Sequence, residues 1–326
     1  MLSRGVGVAE SRAARLRTAT VALVAGAVLA GCGLGAGATP AGVRLEITRA
    51  FGSQVVRSLP RPRGQGEETA MSLLLRNATV STRYGGGFVQ SIDGHAGGYE
   101  DGQPVDWFYY VNGVLAAKGA AETNVRPGDR VWWDLHDWSQ AEEVPAVVGT
   151  FPEPFLNGIE GRRLPVRVEC APGAQGACST VAARLRAAGV SASVTALGGG
   201  HTHDALRLLV GTWSALRTDP GARLLERGPG ASGVYARVLD RGSAIALLDA
   251  QGHVVRTLGP SAGLIAATRV SAGEPEWLIV GTDAAGLALA ARSLTQSTLH
   301  DRFAVALAAG QAGSAAAVLA LPQPSP

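Results

Sequence analysis

The stretch Trp107-Phe108-Tyr109-Tyr110-Val111-Asn112-Gly113 sets the architecture of the first half of the chain. Five consecutive aromatic or β-branched residues favour extended backbone. The Asn-Gly that follows supplies the two positive-φ residues a tight hairpin requires. Downstream, Arg126-Pro127-Gly128-Asp129 reads as a second turn, and Val131–Leu135 as the strand after it. Upstream, Val43, Leu45 and Ile47 alternate with Arg44, Glu46 and Thr48, the pattern of a half-buried strand. The Pro/Arg/Gly-rich segment from Val55 to Gly66 reads as a loop. Thr69 is placed to cap a short helix carrying Met71, Leu74 and Leu75. Phe88–Ile92 reads as a strand ending at Asp93-Gly94. One short helix on a small mixed or antiparallel sheet gives an α+β module.

The aromatics confine this module. Between Tyr84 and Phe155 lie 12 of the 17 Phe, Trp and Tyr residues; beyond Arg163 the chain turns Ala/Leu/Val/Gly-rich. The break falls in Phe151-Pro152-Glu153-Pro154-Phe155 to Gly161, where prolines remove backbone donors. In the second half, Leu206-Arg-Leu-Leu-Val-Gly-Thr and Glu276-Trp-Leu-Ile-Val-Gly-Thr share one pattern. Tyr235-Ala-Arg-Val and Phe303-Ala-Val-Ala follow them at similar distances. These predict an α/β domain with an internal β-α-β repeat, preceded by a unit of Val166–Glu169 and Thr180–Ala188. Gly211-Thr212 and Gly281-Thr282 read as helix N-caps. Ala244–Leu248 and Val254–Leu258 flank Asp249–Gly252 as a hairpin.

The order of a helix at Thr69–Asn77, Tyr84-Gly-Gly-Gly-Phe-Val, Ser91-Ile92-Asp93-Gly94, the aromatic strand with Asn112-Gly113, Gly119-Ala120 and Pro127-Gly128-Asp129 resembles the transcobalamin C-terminal-like domain. The resemblance covers about residues 43–160. It implies a β-grasp-like fold. In transcobalamins this domain is one half of a corrinoid clamp, and a helical domain supplies the other half. The resemblance assigns no ligand residue here.

The amino terminus reads as an address. Arg4, Arg12, Arg15 and Arg17 precede an uncharged, mostly apolar stretch from Thr18 to Gly31, and Leu29-Ala30-Gly31-Cys32 closes it. This resembles the lipobox of bacterial lipoproteins, which implies lipidation of Cys32 and an anchor on the extracytoplasmic face of the cell membrane. The expected organisation is a lipoprotein signal peptide over 1–31, a flexible tether over 32–42, the transcobalamin C-terminal-like domain over 43–160 and the α/β domain over 161–320. Without residues 1–31 the chain carries 25 basic and 25 acidic side chains. No global basic field remains, so nucleic acid is not an expected partner. Cys170 and Cys178 form an even pair in an oxidising compartment and read as one disulfide.

Site signals are sparse. The chain has no phosphate loop, no G-x-G-x-x-G opening a helix, no G-x-S-x-G and no H-E-x-x-H. Gly200-His201-Thr202-His203-Asp204 lacks a further ligand at a recognised spacing. No metal site, cofactor or catalytic residue is expected. The aromatic segment 88–160 is also acidic, with a net charge of −9. Along an extended Val131–Trp138, alternation places Val131, Trp133 and Leu135 on an apolar core face. Trp132, Asp134, His136 and Trp138 fall on the other. That second face, joined by Tyr109 or Tyr110 from the neighbouring strand, is the candidate ligand site for a planar neutral or cationic small molecule. It requires Trp132 and Trp138 to be partly exposed. The expected function is a lipid-anchored ligand-binding protein, accessory to an importer; the alternative is an envelope interaction or scaffold lipoprotein. An enzyme is not expected.

Overall fold

A computed structural model describes residues 42–198, 205–271, 273–310 and 315–325. The leader, Cys32, the tether as far as residue 41 and the loop Gly200–Asp204 lie outside these residues. No helix among the described residues is long and apolar enough to cross a membrane.

The first sheet contains β1 (Arg44–Arg49), β2 (Gln54–Leu59), β3 (Gly98–Glu100), β4 (Gln103–Val111), β5 (Val114–Leu115) and β6 (Arg130–Asp137), in the order β2-β1-β6-β4-β3 with β5 beside β4. The pair β1/β6 is parallel and the other pairs are antiparallel. Asn112 and Gly113 take φ of 53° and 78°, and Val111 pairs with Val114 across them. Two positive φ values in sequence match the right-handed twist of the strands they join. The segment read as a loop from Val55 is instead strand as far as Leu59. Its polar residues reflect a solvated sheet edge, and Pro60 ends it.

One face of this sheet packs on α1 (Ala70–Asn77). Thr69 caps it by accepting from the Ser72 amide. Met71, Leu73 and Leu74 are buried, while Leu75 faces solvent because its position falls on the far side of the helix. Leu45, Ile47, Trp107, Tyr109, Val131, Trp133 and Leu135 complete that core.

The second sheet is larger. In chain order it holds β7 (Val166–Cys170), α2 (Gln175–Ala187), β8 (Ala192–Ala196) and β9 (Leu206–Thr212). A separate antiparallel meander follows, β10 (Ala236–Leu239), β11 (Ala244–Leu248) and β12 (Val254–Leu258). The chain then returns as β13 (Ala262–Thr268), β14 (Glu276–Gly281), α3 (Ala284–Arg292), β15 (Ala304–Ala308) and β16 (Ala317–Leu321). The sheet order is β8-β7-β9-β14-β13-β15-β16. Strands β8, β7, β9 and β14 are parallel and the last three are antiparallel.

This corrects the expected fold class. Among the described residues strand accounts for 39% and helix for 21%, so the architecture is predominantly β. No internal β-α-β repeat is seen among the described residues. After β14 the chain forms a nine-residue helix and re-enters the same sheet at β15. After β9 it breaks into one-turn helices at Trp213–Leu216, Pro220–Arg223 and Pro229–Ser232. It then leaves for the meander. Pro220-Gly221 and Gly228-Pro229-Gly230 explain the difference, since neither residue type sustains a helix interior. Thr282 is not the cap of α3 either; the Asp283 carboxylate accepts from the Gly286 amide there.

Cys170 and Cys178 form the expected disulfide, between the end of β7 and α2. It closes a short loop, so the Cys170→Ala/Cys178→Ala double variant should lose about 2–3 kcal/mol. Urea denaturation of the two chains checks this.

Candidate functional site

The second face of the first sheet is covered by the second half of the chain. β1 and β6 run in parallel register, which pairs Arg44 with Arg130, Glu46 with Trp132 and Thr48 with Asp134. Alternation places these six side chains on one face. Its inner end is dry. Trp132, Tyr110 and His136 pack on Phe303 at ring-centroid distances of 5.3, 5.6 and 5.2 Å. The His136 ring lies between Phe51 at 4.6 Å and Phe108 at 4.5 Å.

Asp134 is the polar hub of this seam and has no solvent exposure. One carboxylate oxygen accepts from the Phe51 amide at 3.0 Å and pairs with His136 Nδ1 at 2.8 Å. The other accepts from the Gly52 amide at 2.8 Å and the Thr48 hydroxyl at 2.5 Å. The Trp132 indole in turn donates to Thr48 Oγ1 at 2.7 Å.

The candidate ligand face is therefore corrected. Trp132, Asp134, His136 and Tyr110 are brought together as the alternation requires, but all are buried. Trp132 is only 2% exposed, against the partial exposure expected of it. The Asp134 carboxylate and His136 Nδ1 found partners within the protein, whereas His136 Nε2 and the Tyr110 hydroxyl are buried without one. Tyr109 points to the opposite core, stacked on Trp133 at 4.7 Å. Trp138 lies beyond the end of β6, half-buried. A stacked aromatic ligand has no room on this face.

At its outer end the same face opens. A cleft of about 150 Å³ is lined by Arg44 and Glu46 of β1, Ser58 of β2, Arg130 of β6, and His300 and Asp301 from the loop before β15. Glu46 Oε2 accepts the Ser58 hydroxyl at 2.8 Å. Glu46 Oε1 is buried and has no hydrogen-bond partner. Burial first, and the nearby Asp301 second, push the Glu46 carboxyl up to about 7. His300 is raised, chiefly by its hydrogen bond to Asp301, with Nδ1 to Oδ2 at 2.8 Å. Burial and then the neighbouring Arg44 lower Arg130. Perturbed, partly buried charges of this kind cluster at binding and reactive sites, and they occur in structural ion-pair networks as well.

Gly52 packs against the loop that carries Asp301. Its φ is +81°, and a Cβ there would lie 2.0 Å from the Asp301 carbonyl oxygen. The turn that Asp134 anchors therefore presses directly on the loop that carries His300 and Asp301. A second concavity of about 130 Å³, around Leu115, Lys118, Arg126, Glu160 and Arg269, has no such unpartnered buried atom among its lining residues. Sequence reasoning found Glu46 only as the polar half of an alternation. It had no signal for His300 and Asp301.

No curated protein matches the chain. A crystal structure from Ruminococcus gnavus ATCC 29149, of a protein described provisionally as metal-binding, is 15% identical over 29% of this chain and 95% of its own. Its TM-score is 0.23, too low to support any argument about fold or ligand. Residues 67–137 match the family model described as a domain of unknown function, DUF4430, which takes in α1 through β6 but neither Glu46 nor His300 and Asp301.

Proposed function

We propose that the chain is a lipid-anchored, extracytoplasmic binding protein, accessory to an importer, which holds a small ligand in the cleft between β1, β6 and the His300–Asp301 loop. The cleft carries this reading: five ionisable groups drawn from both halves of the chain converge there. At about 150 Å³ it is smaller than the ~300–1,000 Å³ of pockets that take drug-sized molecules. An ion or a ligand of a few heavy atoms fits it. The Cys170–Cys178 disulfide supports an oxidising compartment, and the lipobox-like Leu29-Ala30-Gly31-Cys32 supports the anchor. The Asp134–His136 pair is buried, with the His136 ring between Phe51 and Phe108, and is not among the residues that line the cleft.

Native mass spectrometry of the chain extracted from host membranes tests both parts. The mature chain should begin at a lipidated Cys32. It should retain a small species that Ser58→Trp, an exposed edge-strand change filling the cleft mouth, removes. A chain that begins before Cys32 would refute the anchor. A species retained equally by both chains would place the site elsewhere.

A second reading, an envelope docking protein, draws on Tyr84 and Tyr99, which are 86% and 82% exposed.

A further inference from the structure

We infer that Glu46, His300 and Asp301 together bind a divalent transition-metal ion in the seam cleft, although no metal site was legible in the sequence. The inference rests on the cleft being the binding site and names what it takes.

The donor set is one imidazole and two carboxylates. One ligand atom from each lies within 4.8 Å of the other two. Ligands at about 2.0–2.1 Å from a tetrahedral ion stand about 3.4 Å apart, so small side-chain movements close the site. His300 and Asp301 are adjacent in sequence, and in extended backbone their side chains would point to opposite sides. Asp301 has a φ of 55°, and both side chains line the one cleft.

Glu46 supplies the independent observation. Its Oε1 is buried without any partner, although Ser58 satisfies the other oxygen. Buried polar atoms are normally paired, and a bound ion is one of the groups that completes an exception; of the unpaired buried atoms, this one belongs to a residue that lines the cleft beside two further metal-ligating side chains. Nitrogen and oxygen donors in this mix suit zinc or manganese better than the all-oxygen shells of calcium. A dication also offsets the two carboxylates, leaving the three-residue set neutral.

Arg44 and Arg130 line the same cleft, and they separate this inference from its rival. A bare cation is repelled by Arg130, whereas an anionic ligand needs it. Titration of the purified full chain, stripped with chelator, with zinc chloride and manganese chloride at pH 7.5 therefore decides. One equivalent of at least one of these ions should bind. Glu46→Gln, which keeps the shape of the protonated acid, and His300→Gln should each weaken binding about 100-fold. Arg130→Gln should leave affinity unchanged or tighten it. Absence of stoichiometric binding of both ions, or equal affinity in Glu46→Gln, overturns the inference. Loss of binding in Arg130→Gln would mean that the ion depends on a guanidinium that should repel it, and overturns the inference too. If the metals fail while Ser58→Trp still removes a co-purified species, only the metal assignment falls; if both fail, so does the cleft.

Discussion

Arg207→Met should unfold far more readily than the parent chain, by about 3–5 kcal/mol at pH 8. Arg207 sits on β9 and is 8% exposed. Its guanidinium donates to both oxygens of Glu169, at 2.8 and 2.9 Å, to Asp219 at 3.0 Å, and to Glu276. One cation thus serves three carboxylates, and its removal strands all three. Glu276 already shows the strain of that imbalance. Burial first, and Asp219 second, raise its carboxyl to about 7 from the usual 4.5. The folded state therefore holds a proton that the unfolded chain has released. Stability from this group is full below about pH 4.5 and is lost as the pH rises through about 7, the reverse of a paired carboxylate. Glu276→Gln removes the charge beside Asp219 at every pH. It should be at least as stable as the parent at pH 8, with that advantage gone at pH 5. Urea denaturation at the two pH values reads both variants. An Arg207→Met midpoint equal to the parent's, or a Glu276→Gln loss equal at both pH values, would refute the account.

The parts of the fold that local chemistry dictates were legible. Asn112-Gly113 demanded a hairpin, and its two positive φ values are present. The alternation through Val131–His136 assigned each side chain to its true face. What alternation cannot supply is the identity of the covering layer. A face bearing Trp132, Asp134 and His136 looks alike whether water or a second sheet lies over it, and here Phe303 and Phe51 do. The repeat misled for a different reason. Gly211-Thr212 and Gly281-Thr282 match as strings, but Pro220-Gly221 and Gly228-Pro229-Gly230 between them forbid a helix equivalent to α3. That signal was in the sequence and outweighs the match. The cleft was half legible. Glu46 stood on the polar side of β1, but its neighbours His300 and Asp301 arrive from the end of the chain, and only the packing of the two halves brings them there.

Asp134→Ala should be the most damaging change in the first sheet, costing about 3–5 kcal/mol and emptying the cleft with it. The carboxylate receives the Phe51 and Gly52 amides, the Thr48 hydroxyl and His136 Nδ1, and none of these reaches solvent through the seam. Each donor left unpaired in a dry site costs about 1–3 kcal/mol. Relaxation of the turn recovers part of that sum. That relaxation carries the functional consequence. The Phe51–Gly52 turn is held by Asp134 on one side and presses on the Asp301 backbone on the other. Releasing it frees the His300–Asp301 loop from Glu46. Thr48→Val gives the control, since it removes one hydroxyl and leaves the turn anchored by the carboxylate; it should cost about 1–2 kcal/mol and leave the cleft intact. Denaturation midpoints measure the first effect, and retention of the co-purified species by variant chains that remain folded measures the second. Asp134→Ala within about 1 kcal/mol of the parent would mean that water satisfies the turn, and that the seam is open where packing closes it. Ligand lost equally in Thr48→Val would break the link from Asp134 to the cleft, because that variant keeps both amide bonds that position Gly52 against Asp301.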